Sequence, residues 1–273
     1  MILDNTMLSG FHSCPKQFYW RHVRNLVPTE DKRVALTFGT AFHSALETFY
    51  KGGSQDDALI SLVRGFPLTI SDDKRSTAVG LVLLEGYFKK WLPEHWEILQ
   101  VETNLQFELS SDLVYCGKVD LIVKDLGEVH IVDHKTTSSS LSNFIAKPNH
   151  QFSGYIYGTR CLGFPTVGAY INLIAVMKTK QDYHRIITHR TDLELEQWRL
   201  DVLKTKGRID DSLRTGHWET QTVSCRMCVY RDLCSSPPET LQLMIDSKYK
   251  EEKWQPWNQT DVSGATDYSS LPV

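Results

Sequence analysis

Phe38, Ala41, Phe42, Ala45, Leu46 and Phe49 recur at intervals of one, three or four residues, which places them on one stripe of a helix over 38–50. The same kind of spacing predicts a helix over 9–22 and two more near 55–65 and 74–92, so that 36–95 reads as a helical part set ahead of a sheet. At 97 the texture changes. Alternating apolar and polar positions predict strands over 97–109, 114–124 and 128–135, with Leu126-Gly127 as the turn between the last two. A helix over 143–162, strands over 167–177 and 183–190 and a long helix over 192–214 complete a core in which α and β elements alternate. After Cys234 the chain turns polar around Ser235-Ser236-Pro237-Pro238, and 236–273 is expected to be a weakly ordered tail without chemistry of its own.

The turn at Leu126-Gly127 sets a register in which Asp120 falls opposite Asp133 on one face. Alternation then sends Lys135 to the same side as Asp133. Two facing carboxylates repel unless a cation sits between them or one is protonated, and a hard divalent ion such as Mg²⁺ or Mn²⁺ suits oxygen ligands. Such an ion polarises a phosphodiester and acidifies a bound water, while Lys135 positions the nucleophile or stabilises developing charge. The plain alternative is a solvated hairpin face, because an isolated Asp-x-Lys is common by chance. His43 and Glu47 stand four apart on one helix face, where the imidazole is a candidate metal ligand; taken alone they read as surface residues. Gln151 and Tyr155 repeat that spacing and are candidate holders of a phosphate or a base.

Thirty Lys and Arg against 33 Asp and Glu leave a formal charge of −3, so a nucleic-acid partner has to be held by a local patch. Lys16, Arg21 and Arg24, interleaved with Phe18, Tyr19 and Trp20, mix phosphate-pairing and base-stacking groups, although the aromatic rings are equally suited to covering a buried site. No secretory leader or membrane span is evident, which gives an expectation of a cytoplasmic protein, in a host cell if the source is viral. Thiols stay reduced there. Cys225, Cys228 and Cys234 form a C-x2-C-x5-C cluster and Cys14 supplies a fourth ligand from the other end of the chain, a set able to hold zinc or a [4Fe–4S] cluster. No Gly-rich phosphate loop is present, so a built-in motor is not expected.

In their order these residues resemble the RecB-type iron–sulfur branch of the PD-(D/E)XK nucleases, which includes CRISPR-adaptation nucleases and the AddB nuclease domain. The resemblance rests on Cys14-Pro15, on Gly39 with His43, Leu46 and Glu47, on Gly117 with Asp120, on Asp133 with Lys135, on Gln151 with Tyr155, and on Cys225, Cys228 and Cys234. It implies an α/β, restriction-endonuclease-like core, a mixed β-sheet flanked by helices, over 1–235, with a cluster clasp joining the terminal segments. It further implies metal ligation by His43, Asp120, Asp133 and the backbone carbonyl of His134, catalysis by Asp120, Asp133 and Lys135, and support from Glu47. Gln151, Tyr155, Lys16 and Arg21 would lie on the substrate side. The expected activity is a Mg²⁺- or Mn²⁺-dependent DNA exonuclease acting on single strands or duplex ends in replication, repair or recombination, beside a helicase or recombination protein, with an oligomer allowed. A non-catalytic iron–sulfur DNA-binding module and a structure-specific endonuclease are the competing readings.

Overall fold

A computed structural model describes residues 1–29, 34–177 and 181–255. In chain order the elements are β1 (Ile2–Leu3), α1 (Asn5–Ser13), α2 (Pro15–Phe18), β2 (Leu26–Pro28), α3 (Val34–Tyr50), α4 (Gln55–Gly65), α5 (Thr77–Trp91), β3 (Glu97–Ser110) and β4 (Leu113–Asp125). They continue with β5 (Glu128–Thr137), α6 (His150–Cys161), β6 (Thr166–Val176), β7 (Gln181–His189), α7 (Asp192–Thr215), α8 (Arg231–Ser235), α9 (Pro238–Lys248) and β8 (Tyr249–Glu251).

The main sheet is mixed, in the order β1-β4-β5-β6-β7 with β3 also paired to β4. β1 runs parallel to β4, β4 antiparallel to β5, β5 parallel to β6 and β6 antiparallel to β7. The α/β architecture expected from the sequence is therefore present. The β4–β5 register pairs Leu121 with Val132 and Asp125 with Glu128, as the turn required. Both turn residues, Leu126 at φ 48° and Gly127 at φ 91°, are left-handed, the geometry that matches a two-residue hairpin to strand twist.

The described residues divide into two compact units, one drawn from 1–29, 106–117 and 196–255 and the other from 34–105, 118–177 and 181–195. In the second, α3, α4 and α5 bury Phe38, Phe42, Leu46, Leu62, Leu84 and Tyr87 against Ile174 and Val176 of β6. Fully burying each such side chain contributes about 1.5–3 kcal/mol, so the predicted apolar stripe of α3 is the face that anchors it. Ser54 and Asp57 cap α4 reciprocally, and Ser76 caps α5, which explains why that helix starts later than its apolar spacing suggested. α6 likewise starts at His150 because Asn149 accepts the N–H groups of Gln151 and Phe152 and Pro148 precedes it.

In the first unit the predicted helix over 9–22 is interrupted at Cys14, which is extended because Pro15 disfavours a helical residue before it. The expected weakly ordered tail is corrected as far as residue 255. α9 follows a Pro at its N-terminus, and β8 pairs antiparallel with β2, Val27 facing Lys250. Ile245 and Tyr249 join Trp20, Leu26, Tyr230 and Leu233 in an apolar cluster. Residues 256–273 of that expectation lie outside the described residues. No helix among the described residues is long and apolar enough to cross a membrane.

Candidate active site and thiol site

Asp120 lies near the end of the β4–β5 ladder, and its carboxylate works in two directions. Oδ2 accepts the backbone N–H of His134 at 2.7 Å, and Oδ1 lies 3.2 Å from His43 Nδ1. Burial alone would raise this carboxyl, but the charge and hydrogen bond of His43 outweigh it and hold Asp120 well below the usual range. The reverse holds for the imidazole. Burial works against its charge, yet Asp120 pushes His43 up to about 9.

Asp133 is 2% exposed. Burial raises its carboxyl, partly offset by Lys135, whose Nζ donates to Oδ1 at 3.2 Å and lies 3.0 Å from Oδ2. The His134 ring is buried and neutral, lowered to about 3 by desolvation. It stacks on Tyr50 with centroids 5.9 Å apart, and its Nδ1 is 3.3 Å from Asn172 Nδ2. Behind it, Arg185 bonds Asn172 Oδ1 and both oxygens of Glu94 while lying over the rings of Trp91 and Trp96. This network fixes the strand that carries Asp133 and Lys135 from its other face.

A cavity of about 570 Å³ opens beside these groups, lined by Gly39, His43, Glu47, Glu102, Lys118 and Lys135 among others. Gly39 permits that approach, since a Cβ there would sit 3.3 Å from Thr136 Oγ1. Of the predicted residues, His43, Asp120, Asp133 and Lys135 are brought together, and Glu47 reaches the same cavity while paired to Lys51 at 2.6 Å.

Glu102 and Lys118 had been given no role. Ligand atoms of His43, Glu102 and Asp120 all lie within 4.8 Å of one another, a nitrogen-and-oxygen set suited to a hard divalent cation. One signal for Lys118 was available: strand alternation puts it on the same face as Asp120. Glu102 was hidden because it sits at φ 53°, a left-handed residue inside β3 that breaks the alternation.

Gln151 and Tyr155 share a helix face as expected, but they bond each other, Nε2 to the phenol oxygen at 2.9 Å, and are not among the residues lining that cavity. Arg21 donates to the carbonyl of Glu252 at 2.7 Å and lies over Trp254, while Lys16 Nζ sits 4.6 Å from the ring centre of Tyr19.

In the other unit, Cys14, Cys225, Cys228 and Cys234 form no disulfide. Burial raises the Cys228 thiol, the Tyr230 backbone N–H acts against it, and Cys234, Cys14 and Cys225 add to the rise. Three N–H groups aim at sulfur: Gln221 N to Cys14 at 3.4 Å, Trp20 Nε1 to Cys234 at 3.3 Å, and the Tyr230 backbone to Cys228. Trp20 and Gln221 were not expected in this role. Cys116 is buried in β4 and donates to the carbonyl of Leu3.

A solved candidate exonuclease from Eubacterium rectale is similar in fold, with a TM-score of 0.51 at 16% identity over 89% of this chain and 92% of that one. An alkaline exonuclease from Laribacter hongkongensis also matches, at 13% identity and a TM-score of 0.33 over 69% of this chain and 98% of that one. No curated protein matches in sequence. Residues 5–235 match the family model of the PD-(D/E)XK nuclease superfamily, and the chain belongs to that superfamily of hydrolytic nucleases.

Proposed function

We propose that the chain is a divalent-metal-dependent DNA exonuclease whose active centre is His43, Asp120, Asp133 and Lys135. The observation that carries this reading is the convergence of Asp120, Asp133 and Lys135 across β4 and β5, beside His43 and an open cavity. The donor set fits Mg²⁺ or Mn²⁺, with Asp120, Asp133, His43 and the His134 carbonyl as its holders. When bound, such an ion supplies Lewis acidity to the scissile phosphate and a more acidic water. Asp120 keeps His43 oriented, and its bond to the His134 N–H fixes the strand. Lys135, held by Asp133, delivers a positive charge where the pentavalent phosphate gathers negative charge. Glu47 supports the same rim.

The thiol site is read as the seat of a [4Fe–4S] cluster held by Cys14, Cys225, Cys228 and Cys234. Backbone and indole N–H groups directed at sulfur are the donors that stabilise thiolates around such a cluster. Its ligands come from both ends of the matched region, so it would act as a clasp for the nuclease domain over 1–235. Lys16 and Arg21 with their aromatic neighbours, and Gln151 with Tyr155, are assigned to the substrate side. Single strands or duplex ends are the proposed substrate, in replication, repair or recombination beside a helicase or recombination protein.

The test is anaerobic purification followed by end-labelled single- and double-stranded DNA with Mg²⁺ or Mn²⁺. Progressive shortening that disappears with EDTA and with Lys135→Ala supports the reading. Intact DNA from folded, cluster-loaded protein with either ion would falsify it.

A further inference from the structure

The Glu102 side chain is largely covered, and its carboxylate oxygen lies within 4.8 Å of the ligand atoms of both His43 and Asp120. Its ion-pair partner is Lys118, whose ammonium is half-exposed. The pair lines the same cavity as His43 and Lys135. The Asp133 carboxylate is buried beside them, with Lys135 Nζ 3.0 Å from its Oδ2. Glu47, already paired to Lys51, and Glu102, paired to Lys118, thus share one cavity with His43 and Lys135.

The geometry points to Glu102 as a direct ligand of the divalent ion, with Lys118 as the cation that occupies its carboxylate until the ion arrives. This rests on the proposed metal-dependent reading and adds to its ligand set. Metal entry between His43, Glu102 and Asp120 replaces the Glu102–Lys118 pair, and Lys118 is released toward the open cavity. There it becomes a second ammonium, beside Lys135, available to a phosphate of the bound strand. The left-handed conformation of Glu102 fits this role, because without it strand alternation would send the carboxylate to the other face.

The experiment is calorimetric titration of Mn²⁺ into metal-free, full-length protein, for wild type, Glu102→Gln and Lys118→Met, with cleavage of end-labelled DNA followed in parallel. If Glu102 is a ligand, Glu102→Gln weakens Mn²⁺ by at least about tenfold. Lys118→Met binds the ion more tightly than wild type, because its internal competitor is gone. A purely structural ion pair predicts the contrary: both variants melt earlier and neither changes Mn²⁺ affinity. That result overturns the inference, as does weaker binding by Lys118→Met. Should Glu102→Gln fail to fold, the direction of the Lys118→Met change decides alone. Wild type that binds Mn²⁺ and cleaves DNA while Glu102→Gln keeps its affinity overturns this inference and leaves the proposed function standing. Wild type that neither binds nor cleaves overturns both.

Discussion

The carboxylate centre and the thiol site gather ionisable groups by opposite means. Around Asp120 the charges are balanced by the chain itself: His43, Lys118 and Lys135 stand against Asp120, Glu102 and Asp133. Among the described residues, the groups that act on Cys228 are thiols and a backbone N–H, not cations. Burial and neighbouring thiols oppose ionisation, and only N–H groups favour it. A site of the first kind keeps its geometry without a ligand. A site of the second kind is expected to depend on one if the proposed cluster is bound, because four neutral thiols bring little energy of their own.

The sharpest test of that difference is to strip each site in turn. Lys135→Ala should lower the cleavage rate by about 10²–10³-fold, the effect expected when one charge-stabilising group is lost, while circular dichroism and melting temperature change little. EDTA should likewise abolish cleavage and leave the fold in place. A collapse of the fold on chelation would show that the internal cations do not suffice, and the comparison would fail at its first half.

Cys228→Ser probes the second half. The brown colour and visible absorbance of a cluster should vanish, and the melting temperature should fall by about 10 °C, since each kcal/mol corresponds to about 2–4 °C in a chain of this size. Unchanged melting with the colour lost would mean that the apolar group of Trp20, Leu26, Tyr230, Leu233, Ile245 and Tyr249 holds the segment unaided. Spectra before and after anaerobic loading, alongside calorimetry, decide between these outcomes.

Much of the carboxylate centre was legible because it depends on local rules. A two-residue turn fixes a register, register fixes which carboxylates face, and alternation places Lys135. His43 followed from helical spacing. Glu102 was not legible because its conformation departs from the strand rule that made the others readable. Residues 238–251 were misread for a different reason. α9 is polar around most of its circumference and buries Ile245 as its single fully covered residue, so its order comes from tertiary contacts that leave almost no periodic trace. Arg190, which bonds Ser153, Thr188 and the carbonyl of Ala146, is a buried cation that no local pattern announces.

The two units should also respond to acid in opposite ways. His22 is buried in the first unit beside Phe18 and Trp254, and desolvation, helped by Arg21, lowers it to about 3. In the unfolded chain its value is near 6.5, so as pH falls below that the unfolded state takes up a proton which the folded state refuses. Stability is then lost between about pH 6.5 and 3, by up to roughly 1.4 kcal/mol per unit of pH. His43 carries the other sign. Raised to about 9 in the metal-free protein, it contributes stability that is complete below about 6.5 and is lost as pH rises through 9. Hydrogen exchange at pH 5 and pH 9 should show protection fading first around His22 in acid and first around His43 in base. His22→Phe should remove the acid response alone, and a variant that keeps it would place the acid-labile group elsewhere.

The smallest expected effect concerns how the C-terminal segment contributes to the thiol site. Tyr249, the first residue of β8, donates its hydroxyl to the carbonyl of Val229 at 2.6 Å, between Cys228 and the Tyr230 N–H that serves it. Its ring also stacks on Tyr230, with centroids 5.8 Å apart. Tyr249→Phe keeps the stacking and removes one hydrogen bond, a loss of about 1 kcal/mol, or about 2–4 °C in melting temperature. If that bond holds the peptide whose N–H faces Cys228, the variant should also bleach faster in air than wild type. Equal bleaching rates with the same small thermal loss would mean that Tyr249 only packs, and that the thiol site owes its N–H donors to the Cys225–Cys234 segment itself.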